Sequence, residues 1–333
     1  MSPLESHHRK GICHNYVCSI AVSILLLSQM GTSDRLPFSF EDIEEAITNI
    51  IGGTVAEPGS TPWLVSLKDV RYSHPVHFCG GTILNQQWIL TAAHCIEGYD
   101  EPSRDIQVVV GDYNLDEFEF FWEKKKNILE VVVHPIYNYF TREFDVALIQ
   151  VSSVITFNKR VRYLPLPPAR SHFPAIEKID LDVDGATELS PSIASGVESF
   201  RNPCHCPVVL SPFRHDKKQF GYIAGWGSTG KISDASAPGI NVIHEAFVPI
   251  VQKEVCRSLY PGLFTDAMMC AGNLTHGGVD PCHGDWGGPL VDSFGYLRGV
   301  SSWSVGCGNP GYPAVYVDIY SVRDWICDVI DGK

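Results

Sequence analysis

The sequence predicts an all-β fold of two barrels or sandwiches, followed by a C-terminal helix. Short segments rich in β-branched residues, each bounded by Gly, Pro, Asn or Asp, recur from residue 63 to residue 319. They form two runs of about six segments, and a long stretch with little periodicity separates the two runs. Residues 320–330 then place apolar side chains at helical spacing.

The N-terminal residues 1–30 are predicted to be a signal peptide. The apolar run at 16–27 follows basic residues, and it is shorter than the roughly 20 apolar residues that a bilayer span needs. An uncleaved signal anchor is the alternative. We therefore expect a secreted protein with no stable membrane span, or a protein anchored at the membrane by this segment. Residues 31–49 are interpreted as a propeptide-like segment.

Residues 50–330 are predicted to form one domain. Its first unit covers about residues 50–165, with strands at 63–67, 77–84, 106–110, 128–133 and 146–151. Its second unit covers about residues 220–319, with strands at 222–225, 242–250, 289–291, 297–302 and 314–319. The linker 169–219 is rich in Pro and Gly, and we expect an inserted loop. The helix 320–330 rests on the spacing of Val322, Trp325, Ile326 and Val329.

Composition and charge exclude several classes of protein. With 44% apolar and 19% charged residues, the chain is not disordered, collagenous, coiled-coil or a multi-span membrane protein. The net charge of −13 argues against a nucleic-acid partner, which would need a basic patch. The 11 cysteines lack repeated metal-ligand spacing and favour a secreted, disulfide-bonded protein with at least one thiol left over. The sequon at Asn273 is a candidate glycosylation site.

Three segments are candidates for chemistry. The string TAAHC at residues 91–95 places His94 beside a cysteine just after an apolar strand. Asp145 stands at the start of a strongly apolar strand, where a buried carboxylate needs a partner. The segment DPCHGDWGGP at 280–289 is a Gly-rich turn whose backbone N–H groups could converge on an anion. Each segment alone also has a purely structural explanation: a satisfied His, a strand-capping Asp and a tight turn.

Together and in this order, these segments resemble the chymotrypsin/trypsin family of serine proteases. The strings IIGG at 50–53 and GWG at 225–227 complete the resemblance, which spans about residues 50–330 apart from the linker. It implies two antiparallel six-stranded β-barrels, with a cleft between them in which a protein or peptide ligand would bind.

The resemblance also implies residue roles. His94 would be the general base and Asp145 the carboxylate that orients it. Gly284 and the backbone N–H of Trp286 would form the oxyanion hole. The substrate pocket would comprise Asp280, Ser302, Trp303, Ser304 and Ala314. Asp280 at its base would select Lys or Arg, and Asp285 would receive the new amino terminus of Ile50 on activation.

The nucleophile position departs from the family pattern, because Trp286 stands where the family has Ser. An indole N–H is only a hydrogen-bond donor, and residues 284–290 offer no Ser, Thr or Cys instead. Loss of such a nucleophile costs about 10⁶ in turnover. Two further departures agree with this one. Ser304 and Ala314 replace glycines and should narrow the pocket, and Asn49 stands where the usual activating cut needs Lys or Arg.

We therefore expect a secreted trypsin-like protease homologue without peptidase activity, which acts by binding or regulation. The alternative is an active serine endopeptidase that cleaves after Lys or Arg, which requires Trp286 to be a sequence error or a variant. The 169–219 insert could separately be a binding element or a retained non-coding stretch. The oligomeric state has no sequence signal.

Metal and disulfide expectations follow from the same resemblance. Asp112, Glu119 and Glu123 resemble the calcium loop of some family members, although such loops are usually just solvated; no other cofactor is expected.

The implied disulfides are Cys79–Cys95, Cys256–Cys270 and Cys282–Cys307. A further pair common in the family is missing, since its positions hold Gly221 and Asp292. Cys13 and Cys18 would leave with the signal peptide, so Cys204, Cys206 and Cys327 remain. The isolated Cys204-His205-Cys206 favours a loop thiol or disulfide over a metal site, because it lacks a second ligand pair.

Overall fold

A computed structural model describes residues 53–117, 119, 121–169, 204, 220–227 and 242–332 of the chain. The strands are β1 (Thr54–Val55), β2 (Leu64–Asp69), β3 (Val76–Ile83), β4 (Trp88–Thr91), β5 (Ile106–Val110), β6 (Lys124–Lys126), β7 (Ile128–Val133), β8 (Ala147–Val151), β9 (Phe220–Gly225), β10 (His244–Val251), β11 (Met268–Ala271), β12 (Pro289–Asp292), β13 (Leu297–Trp303) and β14 (Ala314–Asp318). The helices are α1 (Pro102–Asp105), α2 (Lys253–Leu259) and α3 (Ile319–Ile330), and a 3₁₀ turn covers Ala93–Cys95.

The first sheet is antiparallel and curls around its own core. Its strand order is β6-β5-β2-β3-β4-β8-β7, and within the described part of the chain its ends β6 and β7 do not pair. Leu67, Ile89 and Leu148, from three of its central strands, are fully buried in one apolar cluster. This sheet is therefore a curled half-barrel around a continuous core.

The second sheet closes on itself. Strands β10, β11, β14, β13, β12 and β9 pair in that order, and β9 pairs with β10 to complete a six-stranded barrel. The short β1 adds to the outside of β10, with Thr54 opposite Glu245. The predicted mostly-β architecture with two barrel-like sheets and a C-terminal helix is confirmed.

Four short strands, β1, β4, β6 and β11, are not among the ten predicted ones, although an apolar strand is expected just before His94, where β4 lies. Strands β4 and β11 have four residues each, and every one of these residues is buried. A strand buried on both faces shows no alternation of apolar and polar residues, so a period of two cannot reveal it. The ten predicted strands all overlap observed ones, because their flanking turn residues mark them.

The C-terminal helix α3 starts one residue before the predicted boundary. Its N-cap is Asp318, whose carboxylate accepts the backbone N–H of Tyr320 at 3.1 Å. The buried carboxylate of Asp318 also pairs with Lys253 at 2.9 Å and with Arg298. Val322 and Ile326 bury their side chains in an apolar cluster that both sheets share. Helix α3 therefore packs beside β13 and β14 of the second sheet, and its Trp325 also contacts His134, which follows β7 of the first sheet. None of the described helices is both long and apolar enough to span a membrane.

Four disulfides link the described residues. The three implied pairs are present, and a fourth joins Cys204 in the linker to Cys327 on α3. Arg323 reinforces this attachment through hydrogen bonds to the carbonyl oxygens of Pro167 (2.7 Å) and Cys204 (3.0 Å). Cys206 lies outside the described residues.

The positions of the missing family disulfide are adjacent in the fold. Gly221 and Asp292 lie directly opposite each other in the β9–β12 pairing. A cysteine pair would therefore connect two strands that the backbone already joins.

Candidate functional site

His94 and Asp145 meet because of the register of two strands. His94 lies in the 3₁₀ turn after β4, and Asp145 lies just before β8. Strands β4 and β8 pair antiparallel with Thr91 opposite Ala147, so the two residues leave the same end of the ladder. The His94 Nδ1 lies 2.7 Å from the Asp145 Oδ2, and the His94 backbone N–H donates to the Oδ1 at 2.9 Å. Two residues 51 positions apart are thus held in direct contact.

The Asp145 carboxylate is fully buried and hydrogen-bonded on both oxygens. Besides the two bonds from His94, its Oδ2 accepts the hydroxyl of Ser302 at 2.5 Å. Ser302 belongs to β13 of the second sheet, so Asp145 lies where the two sheets meet. A buried carboxylate without such partners would be strongly destabilising. The Ser302 side chain, predicted as part of the pocket, is directed to Asp145.

The backbone before Asp145 is strained and held by side chains. Arg142 and Phe144 have positive φ angles of 56° and 53°, which non-glycine residues rarely adopt. Arg142 donates to the hydroxyl of Tyr137 at 2.7 Å and lies 3.3 Å from a carboxylate oxygen of Glu97. Glu97 follows His94 closely in sequence, so this contact joins the segments of His94 and Asp145 a second time.

The Gly-rich turn docks backbone to backbone on the first sheet. The carbonyl oxygen of Trp286 accepts the N–H of Gly80 at 2.8 Å, and the N–H of Gly287 donates to Ser301 at 2.8 Å. A Cβ on Gly287 would lie 2.3 Å from the Thr91 Oγ1, and the φ of Gly287 is +82°. Only glycine fits at this position. The turn is therefore positioned by close backbone contact and not by the identity of residue 286.

Trp286 lies beside His94. The Trp286 carbonyl oxygen and the His94 Nε2 both contact the Cys95 Sγ, at 3.7 Å and 3.8 Å. The Trp286 ring is partly buried and packs against the core cluster of the first sheet. The residue that precedes Gly287 thus carries an indole, and no hydroxyl or thiol, and its backbone lies close to the segment of His94.

His77 contacts the turn at Gly284, and the sequence analysis did not predict this contact. The His77 Nε2 lies 2.9 Å from the Gly284 carbonyl oxygen, and its Nδ1 lies 2.8 Å from the Ser66 hydroxyl. The carbonyl only accepts, so Nε2 carries the proton and the Ser66 hydroxyl donates to Nδ1. Burial lowers the pKa of His77 to about 4, which keeps the ring neutral. Since these contacts join distant segments, no local motif announces them.

The predicted pocket residue Asp280 is enclosed by backbone amides. Its two oxygens accept the N–H groups of Ala314 and Gly308, each at 3.1 Å, and the residue is only 1% exposed. Burial raises its pKa to about 8. Ala314 is also fully buried, so its methyl group occupies space beside the carboxylate. Of the other pocket residues, Trp303 packs edge-on against Tyr260, and the Ser304 hydroxyl donates to the Gly306 carbonyl.

Asp285 explains the glycines of the GWG string. Its oxygens accept the N–H groups of Gly227 at 2.7 Å and Cys282 at 3.1 Å, and burial raises its pKa to about 6. A Cβ on Gly225 or Gly227 would lie 2.0 Å from one of these oxygens. Both glycines are therefore required by the carboxylate packed against them. Ile50, the predicted partner of Asp285, lies outside the described residues.

Among the residues that the structure describes, two groups of Cys and His place their ligand atoms close enough together to suggest a metal site. They are Cys79, His94 and Cys95, and Cys282, His283 and Cys307. All four cysteines are in disulfides, so they offer no thiolate to a metal.

At the predicted glycosylation site, the Asn273 side-chain oxygen accepts the N–H groups of Thr275 and His276 at 3.0 Å, in a partly exposed turn. Glycosylation there stays a prediction.

Comparison with known proteins establishes the family. The model of the trypsin family matches residues 50–181 and 202–326. Anionic trypsin from Canis lupus familiaris is 33% identical over 307 residues, covering 92% of this chain and 97% of that protein. Trypsin from Sus scrofa is 33% identical over 281 residues, covering 84% of this chain and 95% of that protein. Transmembrane protease serine 9 from Rattus norvegicus is 32% identical over 284 residues, which is 84% of this chain but 22% of that protein. The chain belongs to the trypsin family.

Proposed function

We propose that this protein is a trypsin-family homologue without peptidase activity, which acts by binding a protein or peptide in the cleft between its two sheets. The observation that carries the proposal is Trp286. It occupies the position between Asp285 and Gly287, where the family resemblance requires Ser, and it lies next to His94. A partly buried indole at this place supplies no nucleophile and takes up room that a scissile bond would need.

His94 remains as a candidate general base at this site, but Trp286 offers it no nucleophile to activate. In the family role, Asp145 would hold the His94 ring by the bond to Nδ1, leaving Nε2 to accept a proton. With no hydroxyl or thiol to deprotonate, His94 can only assist a water molecule. In serine proteases that lose a triad member, the residual acceleration is about 10³–10⁴ over water. We therefore expect turnover about 10⁶ below that of an intact triad.

The pocket around Asp280 gives independent support. A Lys or Arg side chain would have to reach a carboxylate that two backbone N–H groups already cover, past the methyl group of Ala314. With its pKa raised to about 8, Asp280 is also largely protonated near neutral pH and is a weak partner for a cation. Ligand recognition by this protein is thus expected to rely on the surface of the cleft.

We also propose that the protein is exported from the cytoplasm. Four disulfides need an oxidising compartment, and the apolar run at 16–27 would supply the export signal. Whether the protein is free or anchored by this segment can be decided by mass spectrometry of the N-terminus of the exported protein. A first residue after position 30 supports secretion, and an intact leader supports the anchor.

The alternative function, cleavage after Lys or Arg, retains support from the His94–Asp145 contact and from Asp280. The test is to produce the chain with Ile50 as its first residue and offer it a fluorophosphonate probe and an arginyl amide substrate. We expect neither labelling nor turnover, with pig trypsin as the positive control. Stoichiometric labelling of this chain would refute the proposed absence of peptidase chemistry.

A further inference from the structure

Two carboxylates of the acidic loop at residues 111–123 form ion pairs with basic side chains of the same chain. Asp112 and Glu123 are each only 4% exposed, and Glu119 is partly buried. Three carboxylates close together and out of water require compensating positive charge. A calcium ion would supply this charge through six to eight oxygen ligands at about 2.3–2.6 Å. The loop instead contacts basic side chains of the same chain.

The first cation is Lys68. It lies on β2, beside β5, which runs directly into the acidic loop. Its Nζ is 2.8 Å from the Asp112 Oδ2, in an ion pair whose side chains are 10% and 1% exposed. A lysine this buried is rare unless it is paired.

The second cation is Arg160, and two further carboxylate oxygens accept backbone N–H groups. The Arg160 Nη1 lies 3.5 Å from the Glu119 Oε1, and its guanidinium lies 4.9 Å from the centre of the Trp122 ring. The Glu119 Oε2 accepts the N–H of Tyr113 at 2.6 Å. The Glu123 Oε2 accepts the N–H of Glu119 at 3.2 Å. Each of the three carboxylates therefore already has at least one partner in this chain, whereas the Asp112 Oδ1 is buried without a hydrogen bond from the described residues.

We infer that Lys68 and Arg160 take the place of a metal ion in this loop, and that the protein does not bind calcium there. A calcium ion at ligand distance from Asp112 would lie within a few ångströms of the Lys68 ammonium. Repulsion between the two cations, together with the loss of the ion pair, disfavours the metal. The residues thus do not fit the calcium site that the sequence resembles. This inference is independent of whether the protein cleaves peptides.

The test uses the full exported chain and calcium as the probe. Thermal unfolding is measured in EGTA and in 10 mM CaCl₂, with isothermal titration calorimetry of calcium as a second measurement. We expect the same Tm in both buffers and no binding heat. A site with a Kd of about 10⁻⁴ M, as in extracellular calcium modules, would raise Tm by several degrees at this concentration. Such a rise, or a one-to-one calcium isotherm, would overturn the inference.

Substitutions test the role of the lysine directly. Lys68→Met is expected to lower Tm by several degrees because it leaves Asp112 buried without its cation. The matched control is Lys159→Met, since Lys159 also lies over the Trp122 ring, at 5.0 Å, and its removal should leave Tm nearly unchanged. An unchanged Tm in Lys68→Met would contradict the inference. If that variant does not fold, Arg160→Met is measured in its place, and the calorimetry on the unmodified chain decides on calcium.

Discussion

Replacing Trp286 by Ser separates the structural contribution of the indole from its chemical consequence. Complete burial of a Trp side chain contributes about 3–5 kcal/mol relative to Ala. The Trp286 ring is only partly buried against the core of the first sheet, so we expect W286S to lose about half of this, roughly 2 kcal/mol. For a domain of this size that corresponds to a fall in Tm of about 4–8 °C. The turn itself should persist, because its backbone bonds to Gly80 and Ser301 do not involve the indole.

The chemical expectation for W286S is a gain of labelling. The new hydroxyl would lie beside the His94 imidazole, so a fluorophosphonate probe should label W286S but not the unmodified chain. The double variant W286S/H94N is the matched control and should label far more slowly, since Asn can still donate a hydrogen bond to Asp145 but is no base to activate the Ser. Turnover of an arginyl amide should stay low because the Asp280 pocket is enclosed. If W286S folds with Ile50 as its first residue and still fails to label, the inference that the turn keeps a competent geometry is wrong.

Two further predictions concern buried groups. Burial raises the pKa of Asp280 from 3.8 to about 8 in the folded protein, so the unfolded chain binds fewer protons than the folded one between these two pH values. The free energy of unfolding should therefore fall as pH rises through this window and level off above it. In urea unfolding at pH 4.5, 6 and 8, D280N should show a flatter pH dependence than the unmodified chain, and an equally steep one would count against the raised pKa. In the same assay, the free energy of unfolding of the double variant C204S/C327S should be about 2–4 kcal/mol lower, because the disulfide closes a long loop. An unchanged urea midpoint would mean that the disulfide between the linker and α3 does not form in solution.

The sequence predicts much of the fold because its strands and turns carry local signals. The β-branched runs, the apolar spacing after Asp318 and the motif strings around His94 and Asp145 are all local. The contacts between them are not. No pattern places the Ser302 hydroxyl on Asp145, or Ser66 and His77 behind Gly284, because each contact depends on how strands distant in sequence pair.

The disulfides likewise divide into pairs that the sequence indicates and a pair that depends on the fold. The family resemblance implies three pairs, and the structure contains them. The fourth pair joins Cys204 to Cys327 across 123 residues, and the count of leftover cysteines could only narrow the choice to three residues. Closure of such a distant pair depends on where α3 packs, and that packing is a property of the apolar cluster shared by the two sheets and not of the linker sequence.

The presence of His94 and Asp145 is not by itself a sign of catalysis, because each residue also satisfies the other in the folded structure. Asp145 is a fully buried carboxylate, and its partners are His94 and Ser302. Removing one partner of a buried charged pair typically costs about 3–5 kcal/mol, which is a large part of the stability of a domain. Loss of either residue alone would therefore destabilise the chain whether or not it cleaves peptides.

The glycines of the turn are constrained in the same way. Gly287 is fixed by its approach to Thr91, and Gly225 and Gly227 by their approach to Asp285. Residue 286 differs from all of these, since the turn is held through its backbone carbonyl and its side chain contributes only packing. Position 286 can therefore change its side chain at a cost of about 2 kcal/mol while the backbone bonds of the turn remain. The identity of that one side chain is therefore the strongest evidence that the structure offers about activity.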